Sequence, residues 1–229
     1  DTVALAEGAF VQIRPTSGLI VVSEADRSDF LHRITTNNIN ALRPGQSAVT
    51  VLTTPTARIA FVFTVVCRDE ELWLLPPPGE AAALTRHLRG QIFFMDKVKV
   101  RDASAGYSQW RIMGAGAADV LAQLGLRLDG AADGAWQEQE GLLAIKQQGY
   151  DLPGFVLVAP VEQAETVSAA LAAAGAQPLA DEQVEEWRVA LGRPAPGGEQ
   201  RGGEKPPGGG PGRGRGRHSA AAAAGRWRW

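Results

Sequence analysis

Cysteine is almost missing from this chain of 229 residues; only Cys67 is present. A single thiol excludes an intramolecular disulfide and a cysteine-built zinc centre. It is compatible with a reducing compartment, and a cytoplasmic location is expected. Histidine is scarce as well: His32, His87 and His218 lie far apart, without metal-ligand spacing. No apolar run approaches the ~20 residues that a membrane-spanning helix needs. No basic segment precedes an apolar one at the start, so no secretory leader is expected. The chain opens on Asp1 rather than Met, which suggests a trimmed N-terminus.

Large aliphatic residues run out near the other end. From Gly192 to Trp229 there is no Val, Ile, Leu, Met or Phe, while 12 of those 38 residues are Gly and five are Pro. Such a segment cannot bury enough apolar surface to offset its ordering entropy and is expected to be disordered. The formal charge of -2 hides the same division: residues 1–191 carry -8 and residues 192–229 carry +6. An acidic body therefore precedes a basic tail. With 45% hydrophobic residues, the body can build a core of one or two domains.

That body reads as mixed strands and helices. Phe10 to Ile13 and Leu19 to Val22 are short β-rich runs, and Ser23 is a plausible N-cap for a helix carrying Phe30, Leu31 and Ile34. Ala48 to Thr54 and Arg58 to Cys67 give the strongest strand signals, the second continuous enough to suggest burial on both faces. Asp69-Glu70 turns the chain into a further strand, Glu71 to Leu75, and a short helix follows over Glu80 to Leu88. Strands at Val98 to Val100, Trp110 to Met113, Leu142 to Lys146 and Phe155 to Val158 alternate with helices at Ala117 to Leu124 and Val161 to Ala173. Gly175 closes the latter as a C-cap glycine. A last helix, Asp181 to Leu191, has Val184, Trp187, Val189 and Leu191 as its apolar positions. Hairpins mixed with helices predict an α+β layered fold rather than a doubly wound parallel sheet.

Four patterns carry possible chemistry. Gly114-Ala115-Gly116 follows a strand and opens a helix, but Asp119 stands where a phosphate loop needs its third glycine, so a tight turn is the plainer reading. Cys67 is either a reactive thiol or, more simply, a core thiol at a strand end. Asp181, Glu182, Glu185 and Glu186 are either an acid/base or metal cluster or a solvated helix face near the positive helix N-terminus. Arg213-Gly214-Arg215-Gly216-Arg217, with Trp227 and Trp229, suits phosphate pairing and base stacking, so the tail is a candidate RNA-binding element.

The body also resembles a known family. Asp26-Arg27-Ser28-Asp29-Phe30-Leu31-His32-Arg33-Ile34-Thr35-Thr36-Asn37 is similar to the opening motif of YgfZ-type folate-binding proteins, relatives of the glycine-cleavage T-protein, an aminomethyltransferase. Leu42-Arg43-Pro44-Gly45-Gln46 and Leu52 to Ile59 continue the match, with Ala57 in place of the usual Gly. Ile92 to Val98 and Arg188 to Pro194 resemble two later blocks. The resemblance implies ferredoxin-like mixed and antiparallel sheets with packed helices over 1–194. Within that region, about 48–104 is a sub-part inserted between 1–47 and 105–194, and 195–229 is the tail. It implies tetrahydrofolate as the cofactor, with Asn37, Thr54, Arg58, Phe94, Tyr150 and Arg188 as channel residues. The guanidinium of Arg188 suits the folate-tail carboxylates, and Phe94 or Tyr150 suits the flat pterin. It further implies a role in iron–sulfur cluster assembly or repair, and through it in tRNA modification, with iron–sulfur proteins as partners.

The departures from the family pattern are specific. Phe61 and Val62 stand where the T-protein has an Asp pair, which argues against the alternative reading as an active aminomethyltransferase. Val156 stands in place of a family Glu that would pair with pterin N–H groups, and Ala190 replaces the Glu of a later motif. The family's C-terminal Cys motif and barrel have no counterpart, and the tail reads like a frameshifted end, so an impaired protein is expected. If instead the tail works as an RNA-binding element, a filter-binding titration shows affinity that falls steeply with salt and is lost on deleting 195–229. Salt-independent or absent binding removes that reading.

Overall fold

The computed structural model describes residues 7–149 and 151–192. Among them the chain forms strands β1 (Phe10–Ile13), β2 (Ile20–Ser23), β3 (Ser47–Thr53), β4 (Ile59–Cys67), β5 (Glu71–Leu75), β6 (Lys99–Asp102), β7 (Tyr107–Met113), β8 (Trp136–Gln139), β9 (Leu142–Gln147), β10 (Gly154–Pro160) and β11 (Gln177–Pro178). The helices are α1 (Arg27–Ile34), α2 (Ala81–Gly90), α3 (Ala117–Gln123), α4 (Ala164–Ala173) and α5 (Asp181–Ala190). The strands make two sheets, in the orders β11-β1-β7-β10-β9-β8 and β3-β4-β5-β2-β6. Neighbours are antiparallel throughout, apart from the short parallel pair β1–β11. This is the expected α+β class. No helix among the described residues is long and apolar enough to cross a membrane.

Strand alternation explains the layers. In β7, Trp110 and Ile112 point to one side and join Val120 and Leu121 of α3 and Val167 and Leu171 of α4. In the other sheet, Ile20, Val22, Phe63, Val65, Leu72 and Leu74 meet Phe30 and Leu31 of α1 and Leu84 and Leu88 of α2. The opposite faces of the two sheets pack on each other, with Val21, Val66, Trp73 and Leu75 against Leu143, Ile145, Val156 and Val158. The result is helices, sheet, sheet, helices. Each fully buried aliphatic or aromatic side chain in these layers contributes about 1.5–3 kcal/mol relative to exposure.

Several local expectations change. Ser23 is not a cap; it ends β2, paired with Glu71 and Lys99, and Asp26 takes the N-cap position of α1 without a side-chain capping bond, its Oδ2 accepting the Lys97 N–H instead. The continuous apolar run of β4 is buried from Phe63 to Cys67 only. The reason is pairing: β4 runs beside β3 from Ile59 to Val66 but meets β5 only from Thr64 onward, so the hairpin tip projects past the sheet. In α5, Trp187 is buried against Met113, Leu152 and Leu179, and its ring meets Phe10 edge-on at 5.2 Å. Val189 lies about 200° around the helix from Trp187 and is 64% exposed, as Leu191 beyond the helix end is 45% exposed.

Two clasps hold the sheets together at their rim. Arg68 stacks over Trp73 of one sheet at 4.2 Å and Trp136 of the other at 5.5 Å, and pairs with Glu138 at 2.8 Å. Beside it, the Ser47 N–H and hydroxyl both donate to the Gly134 carbonyl, at 2.7 and 2.8 Å. Gly134 has φ +81, and a Cβ there would sit 2.3 Å from the Ser47 oxygen. Both backbone conformation and contact require glycine. Gly134→Ala is expected to cost about 2 kcal/mol or more, lowering Tm by about 4–8 °C, which a thermal unfolding curve measures.

Candidate functional site

The layer between the sheets is apolar except for one cluster. Arg111 sits in the middle of β7 on the face turned toward the other sheet and is 1% exposed. Its Nη1 donates to Gln147 Oε1 at 2.8 Å. Gln147 Nε2 in turn donates to Thr64 Oγ1 of β4 at 2.9 Å, carrying the network across the interface. Asp151 supplies the negative charge: its Oδ2 lies 3.4 Å from Arg14 Nη2 and 3.8 Å from Arg111 Nη1. Its Oδ1 accepts the Leu152 N–H at 2.8 Å. Asp151 is buried and holds φ +62, a left-handed conformation that Asp tolerates better than most residues.

A cavity of ≈ 30 Å³ adjoins this cluster. Its polar lining is Arg14, Thr64, Gln109, Gln147 and Asp151, and its apolar walls are Leu75, Pro76, Pro77, Ile145 and Val156. That volume takes about a water or two, far below the roughly 300 Å³ or more of a small-molecule pocket.

The described residues singled out from sequence as folate contacts lie elsewhere. Asn37 stitches the chain to β3: its Nδ2 donates to the Val49 carbonyl at 3.0 Å, and its Oδ1 accepts the Asn38 N–H at 2.7 Å. Thr54 builds the β3–β4 turn, its Oγ1 accepting the Arg58 N–H at 3.2 Å. The Arg58 side chain is exposed on that turn. Phe94 is 99% exposed in the loop after α2. That loop is anchored through Asp96, which takes a two-pronged hydrogen bond from Arg33 at 3.3 and 2.7 Å and holds the Phe93 N–H at 2.9 Å. The Arg33 hydrogen bonds hold the Asp96 carboxyl below the usual carboxylate range. Arg188 pairs with Glu185 on α5. Thr54 and Arg58 share one turn; the other positions lie on separate elements. Tyr150, Arg193, Pro194 and the tail to Trp229 lie outside the described residues.

The other sequence motifs resolve into structure. Gly116 N–H donates to the Gly8 carbonyl at 3.1 Å, and Ala117 N–H to the Gly114 carbonyl at 3.1 Å, so this is a turn into α3 with its amides engaged. Cys67 is buried, and burial pushes its thiol pKa up, the opposite of an activated nucleophile. Asp181 accepts Gln12 Nε2 at 2.8 Å, and the hydrogen bond from Arg188 lowers the Glu185 carboxyl. No acid or histidine group among the described residues has the makings of a metal site. Phe61 lies 5.5 Å from His87, ring to ring, and Val62 pairs with Val51; these are the two positions that the family resemblance matches to an Asp pair.

The GCVT N-terminal domain model matches residues 16–140, more than half of the chain. The chain belongs to the GCVT N-terminal domain family. A chloroplastic protein of Arabidopsis thaliana that carries a provisional transferase name is 31% identical over 184 residues, 78% of this chain and 43% of that one. An aminomethyltransferase of Mycolicibacterium paratuberculosis is 28% identical over 192 residues, 80% of this chain and 51% of its own. In structure, the glycine-cleavage aminomethyltransferase T of Bartonella henselae superposes with a TM-score of 0.75 at 18% identity, over 85% of this chain and 54% of that chain. This GCVT-family chain therefore spans about half the length of the relatives it matches.

Sequence reasoning missed Arg14, Thr64, Arg111, Gln147 and Asp151. A signal was present: Gln109 and Arg111 are polar side chains two apart on one face of an otherwise apolar strand, which marks a face turned toward buried polar partners. The structure also explains Ala57, noted as the replacement for a family Gly. Ala57 has φ +58, so the turn keeps a glycine conformation without glycine, at a cost of about 1–2 kcal/mol. Ala57→Gly is expected to raise stability by about 0.5–1 kcal/mol, the larger entropy of the unfolded Gly chain offsetting part of the relief. Chemical denaturation checks this through a higher midpoint at unchanged slope.

Proposed function

We propose that this chain is a tetrahydrofolate-binding protein of the YgfZ type and not an aminomethyltransferase. The observation that supports it best is the pairing of a T-protein fold with apolar side chains at Phe61 and Val62. General acid–base help to aminomethyl transfer needs a carboxylate near the reacting nitrogen, and neither residue supplies one. The scaffold is kept while that chemistry is not.

The residues lining the cavity suit a pterin in kind. Asp151 is an acceptor for ring N–H groups, Thr64, Gln109 and Gln147 offer donors and acceptors, and Leu75, Ile145 and Val156 offer apolar walls. They do not suit it in volume while Arg14 stays in place. Arg58, exposed on its turn, is a partner for the carboxylates of the folate tail. Bound folate supplies a one-carbon carrier; this chain's part is to hold and orient it. The wider role proposed is support of iron–sulfur cluster assembly or repair and, through that, of tRNA modification, with iron–sulfur proteins as partners.

Calorimetric titration with tetrahydrofolate under anaerobic conditions tests the reading. Saturable one-to-one binding is expected, weakened about tenfold (~1.4 kcal/mol) by Arg58→Ala, with no methylene transfer from an aminomethyl-lipoyl donor. A folded chain that gives no binding heat and no ligand-dependent rise in Tm overturns the ligand. Turnover of the donor overturns the non-enzymatic assignment.

A further inference from the structure

The cavity between the sheets contains a guanidinium where the proposed ligand has a guanidine-like edge. The 2-amino-4-oxo edge of a pterin presents two adjacent N–H donors in a plane, the same fork that an arginine offers a carboxylate. Among the described residues lining the cavity, Asp151 is the one carboxylate, and Arg14 Nη2 now lies 3.4 Å from it. We propose that Asp151 is the acceptor for the pterin edge of a bound folate, and that Arg14 is the displaceable side chain that closes this place until the ligand takes its position. This rests on the folate reading above.

Four observations carry it. First, Asp151 is a buried non-glycine residue at φ +62, with Oδ1 fixed by the Leu152 N–H and Oδ2 turned to the two arginines it neutralises. Conformations of this kind persist where surrounding structure enforces them, and they cluster at ligand sites. Next, the two cations differ. Arg111 is 1% exposed along its side chain and engages Gln147 at 2.8 Å, whereas the Arg14 side chain is 15% exposed. Third, Arg14 is loosely held. Its contact with Asp151 is at the limit of hydrogen-bond range, and its Nε is buried without a hydrogen-bond partner. Swinging outward would return that charge to water and satisfy Nε.

The fourth observation is the walls. Leu75, Pro76, Pro77, Ile145 and Val156 are apolar, suited to the faces of a planar heterocycle, while Thr64 and Gln109 lie on the same lining for its ring nitrogens and carbonyl. The ≈ 30 Å³ now open is what remains with the arginine in place. Exchange of Arg14 for the ligand leaves Asp151 satisfied by the same kind of donor pair, so the carboxylate is never left bare. The ligand class that follows is a pterin with its 2-amino group intact.

Calorimetry on the full chain tests this with tetrahydrofolate and, separately, with p-aminobenzoylglutamate, which has the tail but no pterin. Arg14→Gln is expected to bind tetrahydrofolate several-fold more tightly than the parent, because no side chain has to leave. Asp151→Asn keeps a residue that accepts positive φ and an oxygen for the Leu152 N–H, and is expected to lose tenfold or more. The double variant Arg14→Gln/Asp151→Asn keeps the parent's cluster charge, guards against misfolding of the single variant, and is expected to fall at least tenfold below Arg14→Gln. Affinity for p-aminobenzoylglutamate should be the same in all four chains. A parent that binds tetrahydrofolate, with neither Arg14→Gln nor the double variant changing that affinity, overturns this assignment and leaves the folate reading standing. Parent and Arg14→Gln chains that are folded and both silent toward tetrahydrofolate overturn the folate reading itself.

Discussion

The buried Arg111 guanidinium constrains the centre of the molecule. Two apolar sheet faces would pack without it, and a charge between them costs several kcal/mol unless compensated. Asp151 supplies the opposite charge, Gln147 accepts from Arg111, and Thr64 receives Gln147 from the other sheet. The network spans both sheets, so it fixes how β4 lies over β7 and β9 more specifically than apolar contact does. Hydrophobic packing between Val66, Trp73, Ile145 and Val158 supplies most of the stabilisation here; the polar chain supplies the register and leaves a cavity beside it.

The rim clasps belong to the same logic. Arg68 between Trp73 and Trp136, and Ser47 on the Gly134 carbonyl, close the sandwich at a different place from the Arg111 cluster. With the sheets held at two places, the segment around Asp151 has little freedom to relax, and a residue at φ +62 can be maintained. Arg14 is different: it follows β1 and reaches solvent along part of its side chain. The site thus combines a rigid acceptor with a more loosely held cation, an arrangement suited to exchange.

The parts of the fold legible in the sequence were those written by alternation and turn chemistry. β1, β4, β5 and β10, the Asp69-Glu70 hairpin and the Gly175 cap all follow from local pattern. The errors have physical causes. Ser23 is a good capping residue, but sheet pairing on both sides keeps it in β2. Val189 is apolar, but its angle on α5 puts it opposite Trp187. β8 (Trp136–Gln139) reads as polar because it is an edge strand with an exposed side. The cavity cluster was legible only in the Gln109 and Arg111 pair of β7, because its members come from residues 14, 64, 111, 147 and 151, which only the pairing of two sheets brings together. Family resemblance reached the cavity only through Val156, named as the replacement of a family Glu, and otherwise led to Asn37, Thr54, Arg58 and Phe94 on turns and loops and to Arg188 on a helix.

The relation between scaffold and chemistry turns on β4. Its buried half, Phe63 to Cys67, carries the core and the Thr64 hydroxyl; its projecting half, Ile59 to Val62, runs beside β3 alone, with Ile59 exposed and Ala60 and Phe61 half-buried at the edge of the core. Phe61 and Val62, which the family resemblance matches to a carboxylate pair, lie in this projecting half, and Phe61 packs against the edge of the core that Phe63 and Val65 build. A strand built this way lets side chains near the hairpin tip differ while the two-sheet fold shared with the aminomethyltransferase T of Bartonella henselae is kept. The deeper layer, where Thr64 meets Gln147 and Asp151 meets Arg111, is built by the half of β4 that β5 covers. The two halves differ because of one pairing difference: β4 has β5 as a neighbour along one half of its length and not along the other.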